Sequence, residues 1–288
     1  MRVTQGMISN NMLRNLSNSY SKMDQYMNQL STGKKITRPS DDPVVAMKGM
    51  GYRSEVLQVK QYQRNTNELH NWYDNSDAAL DKATKAMQRV RELAVQASNG
   101  TYDENERKSI AQEVAQLKEH LVEIANTQVN DKYIFNGAHT EAPLVKDNGA
   151  NFDEYVPVEI EVSKGTSLTA SVNGQEVFEG LVTTLDRFVN HLNSDDNDGI
   201  NNSIKELDKG IDKIINSRAD LGARMNRLEL VENRLSEQET IATKTMSENE
   251  DVDYPQTITE LITQESLHRA ALSAGARIIQ PTLLDFLR

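Results

Sequence analysis

The 288-residue sequence contains no cysteine, which excludes disulfide bonds, thiolate metal ligands and cysteine nucleophiles. It also has no uninterrupted apolar run of roughly 18 residues, so a membrane-spanning helix is not expected. Residues 1–11 are polar and predict no cleavable secretory signal peptide. Hydrophobic residues make up 37% of the chain and aromatic residues 5%. This content is too low for two thick globular cores and favours thinner, elongated packing.

Basic residues are in the minority, and the formal net charge is -11. A general nucleic-acid binder needs a basic surface, so that class is not expected. The imbalance is concentrated in residues 138–200, which contain 12 acidic and three basic residues, whereas residues 1–38 contain six basic residues and one acidic residue. The middle of the chain is therefore predicted to be a solvated acidic module that differs from the leading segment.

The sequence lacks the usual catalytic and metal-binding patterns. No two of its five histidines are three or four residues apart, and no phosphate-binding glycine loop or Gly-x-Ser-x-Gly elbow occurs. Residues 195–199 resemble part of a calcium loop, but Ser194 and Lys205 would occupy the two positions that need acidic ligands. We therefore expect no enzymatic activity, no metal ion and no cofactor.

Helical periodicity is the strongest positive signal. Near the N-terminus, large apolar residues recur at alternating spacings of three and four until Gly33, a good residue for a left-handed helix cap. This spacing predicts a helix packed lengthwise on another helix. The residues are Leu13, Leu16, Tyr20, Met23, Met27 and Leu30.

Two much longer helices follow. Asp42 and Pro43 predict a helix start, and residues 44–98 contain no breaker stronger than Gly49 and Gly51. A shorter helix is predicted after Asp103, a second long helix over about 200–247 and a final one ending before Pro281. At 1.5 Å per residue, the long helices would reach about 80 and 70 Å.

A β-rich segment interrupts these helices. Residues 133–135 predict a short strand, and the alternation of apolar residues over 156–162 and 168–172 predicts two more. Asn173 and Gly174 predict a hairpin turn that leads into a further strand at 176–178.

The predicted fold class is therefore mainly α with a small β insert. Both chain ends would form a long antiparallel helical bundle or coiled coil around a central β-rich module. We predict three parts: terminal helices (1–42 and 254–288), a long-helix bundle (43–137 and 180–253) and a small acidic β-rich outer domain (138–179). A two-helix pair has little core, so we expect the terminal helices to be mobile in the free monomer and stable in an assembly.

Two segments resemble the conserved ends of the bacterial flagellin superfamily. One runs from Gln29 to Pro43 and the other from Glu250 into the last helix, and residues 93–101 and 135–137 are similar to it as well. The Pro-Ser-Asp-Asp-Pro form at 39–43, with the short insert, resembles the hook-associated protein 3 branch of that superfamily. The motif residues are Ser31, Gly33, Pro39, Ser40, Asp41, Asp42, Pro43, Asp251, Asp253 and Tyr254.

The resemblance implies a secreted structural protein of the bacterial flagellum that is exported by the flagellar route without a cleaved signal. It implies a position at the hook–filament junction, with hook-associated protein 1 on one side and the flagellin filament on the other. It also implies self-association in a helical ring and a cytoplasmic flagellar export chaperone. No nucleic acid and no membrane span are expected.

The terminal helices and the apolar tail are the predicted assembly interface. Two other interpretations remain open: a small flagellin that forms the filament itself, or a soluble coiled-coil module that recruits a partner through its β insert. The predicted interface residues are Leu13, Leu16, Tyr20, Met23, Met27, Leu30, Leu261, Leu267, Ile278, Leu283, Leu284, Phe286 and Leu287.

Overall fold

The computed structural model describes residues 5–99, 103–146 and 155–279. It confirms the predicted class, mainly α with a small β insert, in which the helices of the two chain ends pack against each other. The elements in chain order are α1 (Gln5–Thr32), α2 (Pro43–Ala97), α3 (Glu104–Ala125), β1 (Gln128–Val129), β2 (Lys132–Tyr133), β3 (Glu159–Ser163), β4 (Thr166–Thr169), α4 (Gly174–Phe178), α5 (Leu181–Asn193), α6 (Asn197–Glu250) and α7 (Tyr254–Ile279).

Carboxylates cap the starts of three helices. Asp42 Oδ1 accepts hydrogen bonds from the backbone N–H groups of Val44 and Val45, at 2.9 and 3.1 Å, where Pro43 opens α2. The Asp196 carboxylate accepts a hydrogen bond from the amide of Gly199 at the start of α6, and the Asp253 carboxylate accepts one from the amide of Gln256 at the start of α7. These bonds satisfy amides that have no partner inside a helix, which explains why each helix begins at that residue.

The chain divides into two compact units. The first comprises Met1–Gln58 and Gln238–Arg288, and the second comprises Val59–Glu237. Large side chains fill the core of the second unit, where the rings of Phe135 and Phe178 meet edge to face at 5.4 Å. The predicted three-part division uses different boundaries and stays a prediction.

Within the second unit, ion pairs follow the contact between α2 and α6. Their order shows that these segments are antiparallel, because partners that lie later in α2 lie earlier in α6. The pairs are His70 with Glu232, Asp77 and Asp81 with Arg218, and Arg91 with Asp208.

Over the described residues, the named strands form two antiparallel hairpins. β1 pairs with β2, and β3 pairs with β4 with Ile160 opposite Leu168. Gly165 lies in the turn of the second hairpin with φ at +73°, a conformation that glycine adopts without strain. Of the strand predicted at 133–135, only Tyr133 is part of a strand.

The predicted hairpin turn at Asn173 and Gly174 is wrong. Asn173 is the N-cap of the short helix α4, and its side chain accepts a hydrogen bond from the amide of Glu176 at 3.2 Å. Residues 176–178, predicted as a strand, therefore belong to a helix. The Asn-Gly pair suits both structures, since asparagine is favoured in hairpin turns and at helix N-caps alike.

None of the helices over the described residues is long and apolar enough to cross a membrane. Within the same ranges, no cluster of three or more histidine or acidic side chains could hold a metal ion.

Candidate assembly interface

Helices α1 and α7 form an antiparallel pair, which we call the terminal pair. Four contacts set its register. Residues that lie later in α1 contact residues that lie earlier in α7, as expected for antiparallel helices. The contacts are Met12 with Gly275, Ser19 with Gln264, Tyr26 with Glu260, and Gly33 with Tyr254.

The face of α7 that contacts α1 is made largely of small and polar residues. A Cβ atom at Gly275 would collide with the end of the Met12 side chain, so a larger residue there would require Met12 to move. Gln264 donates a hydrogen bond to the Ser19 hydroxyl at 2.8 Å, and the ring of His268 lies 6.3 Å from that of Tyr20. Small residues permit a close approach of the helices, but they bury little apolar area, so this contact is a weak source of stability.

The predicted apolar seam of α1 is divided by this contact. Leu16, Met23 and Leu30 are half-buried and share the face that meets α7. The other three residues of the seam stay exposed: Leu13 at 57%, Tyr20 at 65% and Met27 at 59%. Thus α7 covers only one edge of the seam, and seven-residue spacing leaves a continuous open stripe along the other edge.

Helix α7 also presents large apolar side chains to solvent. Ile258 is 45% exposed, Ile262 58%, Leu267 58% and Leu272 46%, whereas Leu261 is half-buried. The predicted interface contained Leu261 and Leu267 and missed the other three. Their spacing of four and ten residues does not repeat regularly, so the pattern was not visible in the sequence.

The remaining predicted interface residues lie outside the described part of the structure. Leu283, Leu284, Phe286 and Leu287 follow the last described residue, and the side chain of Ile278 is also outside it. The role of all thirteen residues in assembly stays a prediction.

The two family-like motifs meet in space. We call residues 33–42 and 250–253 the elbow, since they connect the terminal pair to α2 and α6. Lys34 and Asp251 form an isolated antiparallel bridge. The Lys35 amide donates to the Glu250 carbonyl at 2.7 Å, and the Val252 amide donates to the Gly33 carbonyl at 3.0 Å. Two segments more than 200 residues apart are thereby joined backbone to backbone.

Charged side chains reinforce the elbow. The Glu250 side chain is only 5% exposed, and its two oxygens each accept a hydrogen bond of 2.7 Å from the Arg53 guanidinium. Lys34 Nζ lies 2.6 Å from Asp251 Oδ1 and 3.5 Å from Glu250 Oε2. The bonds from Arg53 lower the pKa of Glu250, and the bond from Lys34 lowers the pKa of Asp251.

Two glycines lie close against the elbow. Gly33 ends α1 with φ at +70°, and a Cβ atom there would lie 2.9 Å from the Tyr254 hydroxyl. A Cβ atom at Gly49 would lie 2.6 Å from Glu250 Oε1. A side chain at either position would push against the elbow.

The other motif residues shape the loop between α1 and α2. Asp41 Oδ2 accepts hydrogen bonds from the amides of Arg38 and Thr37, at 2.9 and 3.1 Å, and these bonds lower the pKa of its carboxyl group. Ser31 lies in the last turn of α1, and Pro39 and Ser40 are exposed in the loop. The Asp41 carboxylate thus orders the backbone of this loop.

Comparison with known proteins identifies the family to which this arrangement belongs. The bacterial flagellin N-terminal helical region matches residues 3–140, and the bacterial flagellin C-terminal helical region matches residues 204–287. Both terminal helices and both segments of the elbow fall within these regions.

Individual relatives agree with the family match. The chain is 26% identical to flagellar hook-associated protein 3 of Escherichia coli, over 95% of this chain and 96% of that protein. It is 29% identical to flagellin of Bacillus subtilis, over the full length of both. The crystal structure of Bacillus cereus FlgL is 25% identical and superimposes with a TM-score of 0.61, covering 68% of this chain and 99% of that chain. The chain therefore belongs to the bacterial flagellin family and is a flagellar structural protein whose homologues include hook-associated proteins.

Proposed function

We propose that this protein is a junction adapter of the bacterial flagellum, connecting the hook, through hook-associated protein 1, to the flagellin filament. It is secreted by the flagellar export route and acts without enzymatic activity. The observation that carries an assembly role is the terminal pair, in which the contact face of α7 is largely small and polar while large apolar side chains remain open on both helices. Such surfaces are stabilised when neighbouring subunits cover them.

Two observations support the adapter function. The chain aligns with hook-associated protein 3 over 96% of that protein's length. The Pro-Ser-Asp-Asp-Pro motif at 39–43, whose carboxylates order the loop and cap α2, has the form seen in that branch. Partners on the two sides would be hook-associated protein 1 and flagellin, with self-association in a helical ring between them. An export chaperone would hold the C-terminal segment before secretion.

A small flagellin is the second candidate function. The 29% identity to Bacillus subtilis flagellin extends over all of both chains, and an open apolar surface on the terminal pair suits a continuous polymer equally well.

Seeded assembly distinguishes these two functions. Purified full-length protein is added to hook fragments that carry hook-associated protein 1, and to the same fragments stripped of it, and the products are imaged by electron microscopy. An adapter gives a short, self-limiting addition that requires hook-associated protein 1. Long regular filaments that grow from the seeds would identify a flagellin and overturn the adapter proposal.

A further inference from the structure

A small cavity lies beside the elbow, and we call it the elbow cavity. Its volume is about 130 Å³, and its walls come from the loop between α1 and α2, from the first turns of α2 and from Glu250. Ile36, Pro39, Val45 and Ala46 make part of this wall apolar. The cavity therefore brings an apolar surface next to the buried carboxylate that holds the elbow.

Met50 is the one side chain of this lining that a mild oxidant attacks readily. The other lining side chains are aliphatic, hydroxyl, guanidinium or carboxylate groups, whereas a thioether takes up an oxygen atom and becomes a sulfoxide. Met50 is 66% exposed, so a dissolved oxidant can reach its sulfur. The chain has no cysteine, so no thiol competes for the oxidant.

Met50 also lies next to the ion pair of the elbow. Residues three apart on a helix are neighbours on its surface, which places Met50 beside Arg53. Both side chains line the elbow cavity, and the Arg53 guanidinium donates two hydrogen bonds of 2.7 Å to the Glu250 carboxylate. A new hydrogen-bond acceptor on Met50 would therefore arise beside the donor of that pair.

We propose that Met50 is an oxidation-sensitive site of the elbow, where a hydroperoxide forms the sulfoxide and the sulfoxide loosens the contact between Arg53 and Glu250. In this step a sulfur lone pair attacks one peroxide oxygen, the O–O bond breaks as the S–O bond forms, and a proton moves to the departing oxygen. Sulfur loses two electrons, and hydrogen peroxide is reduced to water. The inference goes beyond the proposed function, because it assigns a modification site rather than an assembly contact.

Two effects of the oxidation act in the same direction. A thioether sulfur is a weak acceptor, whereas a sulfoxide oxygen is a strong one, and the Arg53 donors beside it are those that bind Glu250. The sulfoxide also brings a polar group against the apolar wall of the elbow cavity, which costs free energy unless the group finds a donor or turns to water. Both effects favour a more open elbow.

Met47 provides a matched control for the modification. It is 68% exposed and lies three residues before Met50, but its side chain is not part of the lining of the elbow cavity. Full-length wild type, Met50→Leu and Met47→Leu are treated with dilute hydrogen peroxide, and peptide mapping by mass spectrometry locates the sulfoxides. In the wild type, Met47 and Met50 should be oxidised well before Met87, which is fully buried in the same helix. Oxidation of Met87 before Met50 would overturn the proposal.

Hydrogen exchange at the amides of Lys35 and Val252, which bridge the elbow, measures the consequence. After peroxide treatment, both should exchange about two- to tenfold faster in the wild type and in Met47→Leu, the change expected from weakening one hydrogen bond. Met50→Leu should keep its rates, since leucine is apolar and cannot be oxidised in this way. Equal acceleration in Met50→Leu would assign the effect to another methionine and overturn the proposal.

Repair and mimicry provide a second readout. Methionine sulfoxide reductases, one for each sulfoxide epimer, remove the added oxygen. Once mass spectrometry shows that Met50 is repaired, exchange at Lys35 should return to its untreated rate. Met50→Gln, which carries a polar acceptor at the same position, should exchange faster at Lys35 without any oxidant. Fast exchange that persists after repair, or wild-type rates in Met50→Gln, would contradict the proposal. These measurements use the free protein, so their outcome is independent of the adapter proposal.

Discussion

Glu250 and Arg53 are joined by two parallel hydrogen bonds of 2.7 Å, and the carboxylate that makes them is almost fully buried at the end of α6. The paired geometry fixes both the distance and the direction between α2 and α6 at the elbow, since a guanidinium and a carboxylate meet in one plane. We expect Glu250→Ala to destabilise the elbow by about 1–2 kcal/mol, because both hydrogen bonds are lost. The loss stays modest because water can hydrate the Arg53 guanidinium in the variant.

The measurement for Glu250→Ala is hydrogen exchange at the amides of Lys35 and Val252, which donate across the elbow. Both should exchange about tenfold faster, and amides in the core of the second unit, such as that of Val90, should keep their rates. Unchanged exchange at Lys35 and Val252 would show that the backbone bridge alone holds the elbow.

Acidification should open the elbow. The pKa values of Glu250 and Asp251 are lowered in the folded protein from their ordinary values of 4.5 and 3.8, because each accepts bonds from a cationic side chain. The unfolded elbow therefore binds protons first as the pH falls. The stabilisation of the elbow by these two carboxylates is complete above about pH 5. It is lost as the pH falls through their lowered pKa values.

Hydrogen exchange at Lys35 and Val252, corrected for the intrinsic effect of pH, measures this opening. Protection should be constant from about pH 7 to 5 and should fall below about pH 4. In Glu250→Gln the fall should be smaller, since one of the two titrating groups is absent. Protection that is independent of pH down to 3 would contradict a role for these ion pairs.

Two neighbouring glycines in α2 should respond differently to the same substitution. A Cβ atom at Gly49 would lie 2.6 Å from Glu250 Oε1, whereas one at Gly51 meets nothing within 4 Å. Gly51→Ala should stabilise the protein by about 0.5–1 kcal/mol, the ordinary gain from replacing glycine inside a helix. Gly49→Ala should cancel that gain or destabilise the protein. Denaturant unfolding of both variants measures the difference, and equal gains would show that Glu250 can move aside.

Substitutions in the α1 seam should separate assembly from stability. Met27 is 59% exposed, so Met27→Asp should block seeded assembly and shift the main thermal transition by less than about 2 °C. Leu16 is half-buried against α7, so Leu16→Asp should block assembly and also loosen the terminal pair. A large fall in the main transition with Met27→Asp would mean that the residue contributes to the monomer core.

Limited digestion with trypsin should begin in the terminal helices. The α7 side of its contact with α1 is largely small and polar and buries little apolar area, so we expect the pair to open often in the free monomer. Early cleavage should occur after Arg14, Lys22 and Arg277 and leave a resistant fragment that contains the second unit. Resistance at both ends equal to that of the core would contradict mobile termini.

Helix positions followed from the sequence because their signals are local. Asp42 and Pro43 marked the start of α2 correctly, since an N-cap and a first-turn proline act within a few residues. The Asn173–Gly174 turn was wrong because the same local signal serves two structures, and tertiary packing chose between them. Leu144 and Phe135 lie against Gly174 and leave no room for a side chain there.

The elbow and the division of the α1 seam could not be predicted in the same way. Lys34 meets Asp251 across 217 positions in the chain, and no periodicity relates them. The seam of α1 indicated that a helix packs on it but did not show which edge is covered. That depends on the small and polar inner face of α7, where Gly275 and Gln264 determine how closely the helices approach.

The bridge between Lys34 and Asp251 also has a consequence for the order in which the protein folds. It closes a loop of 217 positions in a chain of 288 residues, so its two sides meet only after the intervening residues have emerged from a ribosome or a secretion pore. Contacts of such long sequence separation form late because the entropy of loop closure opposes them. The second unit, built from nearer neighbours, can condense first. The terminal pair then closes last. Its exposed apolar surface on α1 therefore exists for only a short time before a neighbouring subunit can cover it.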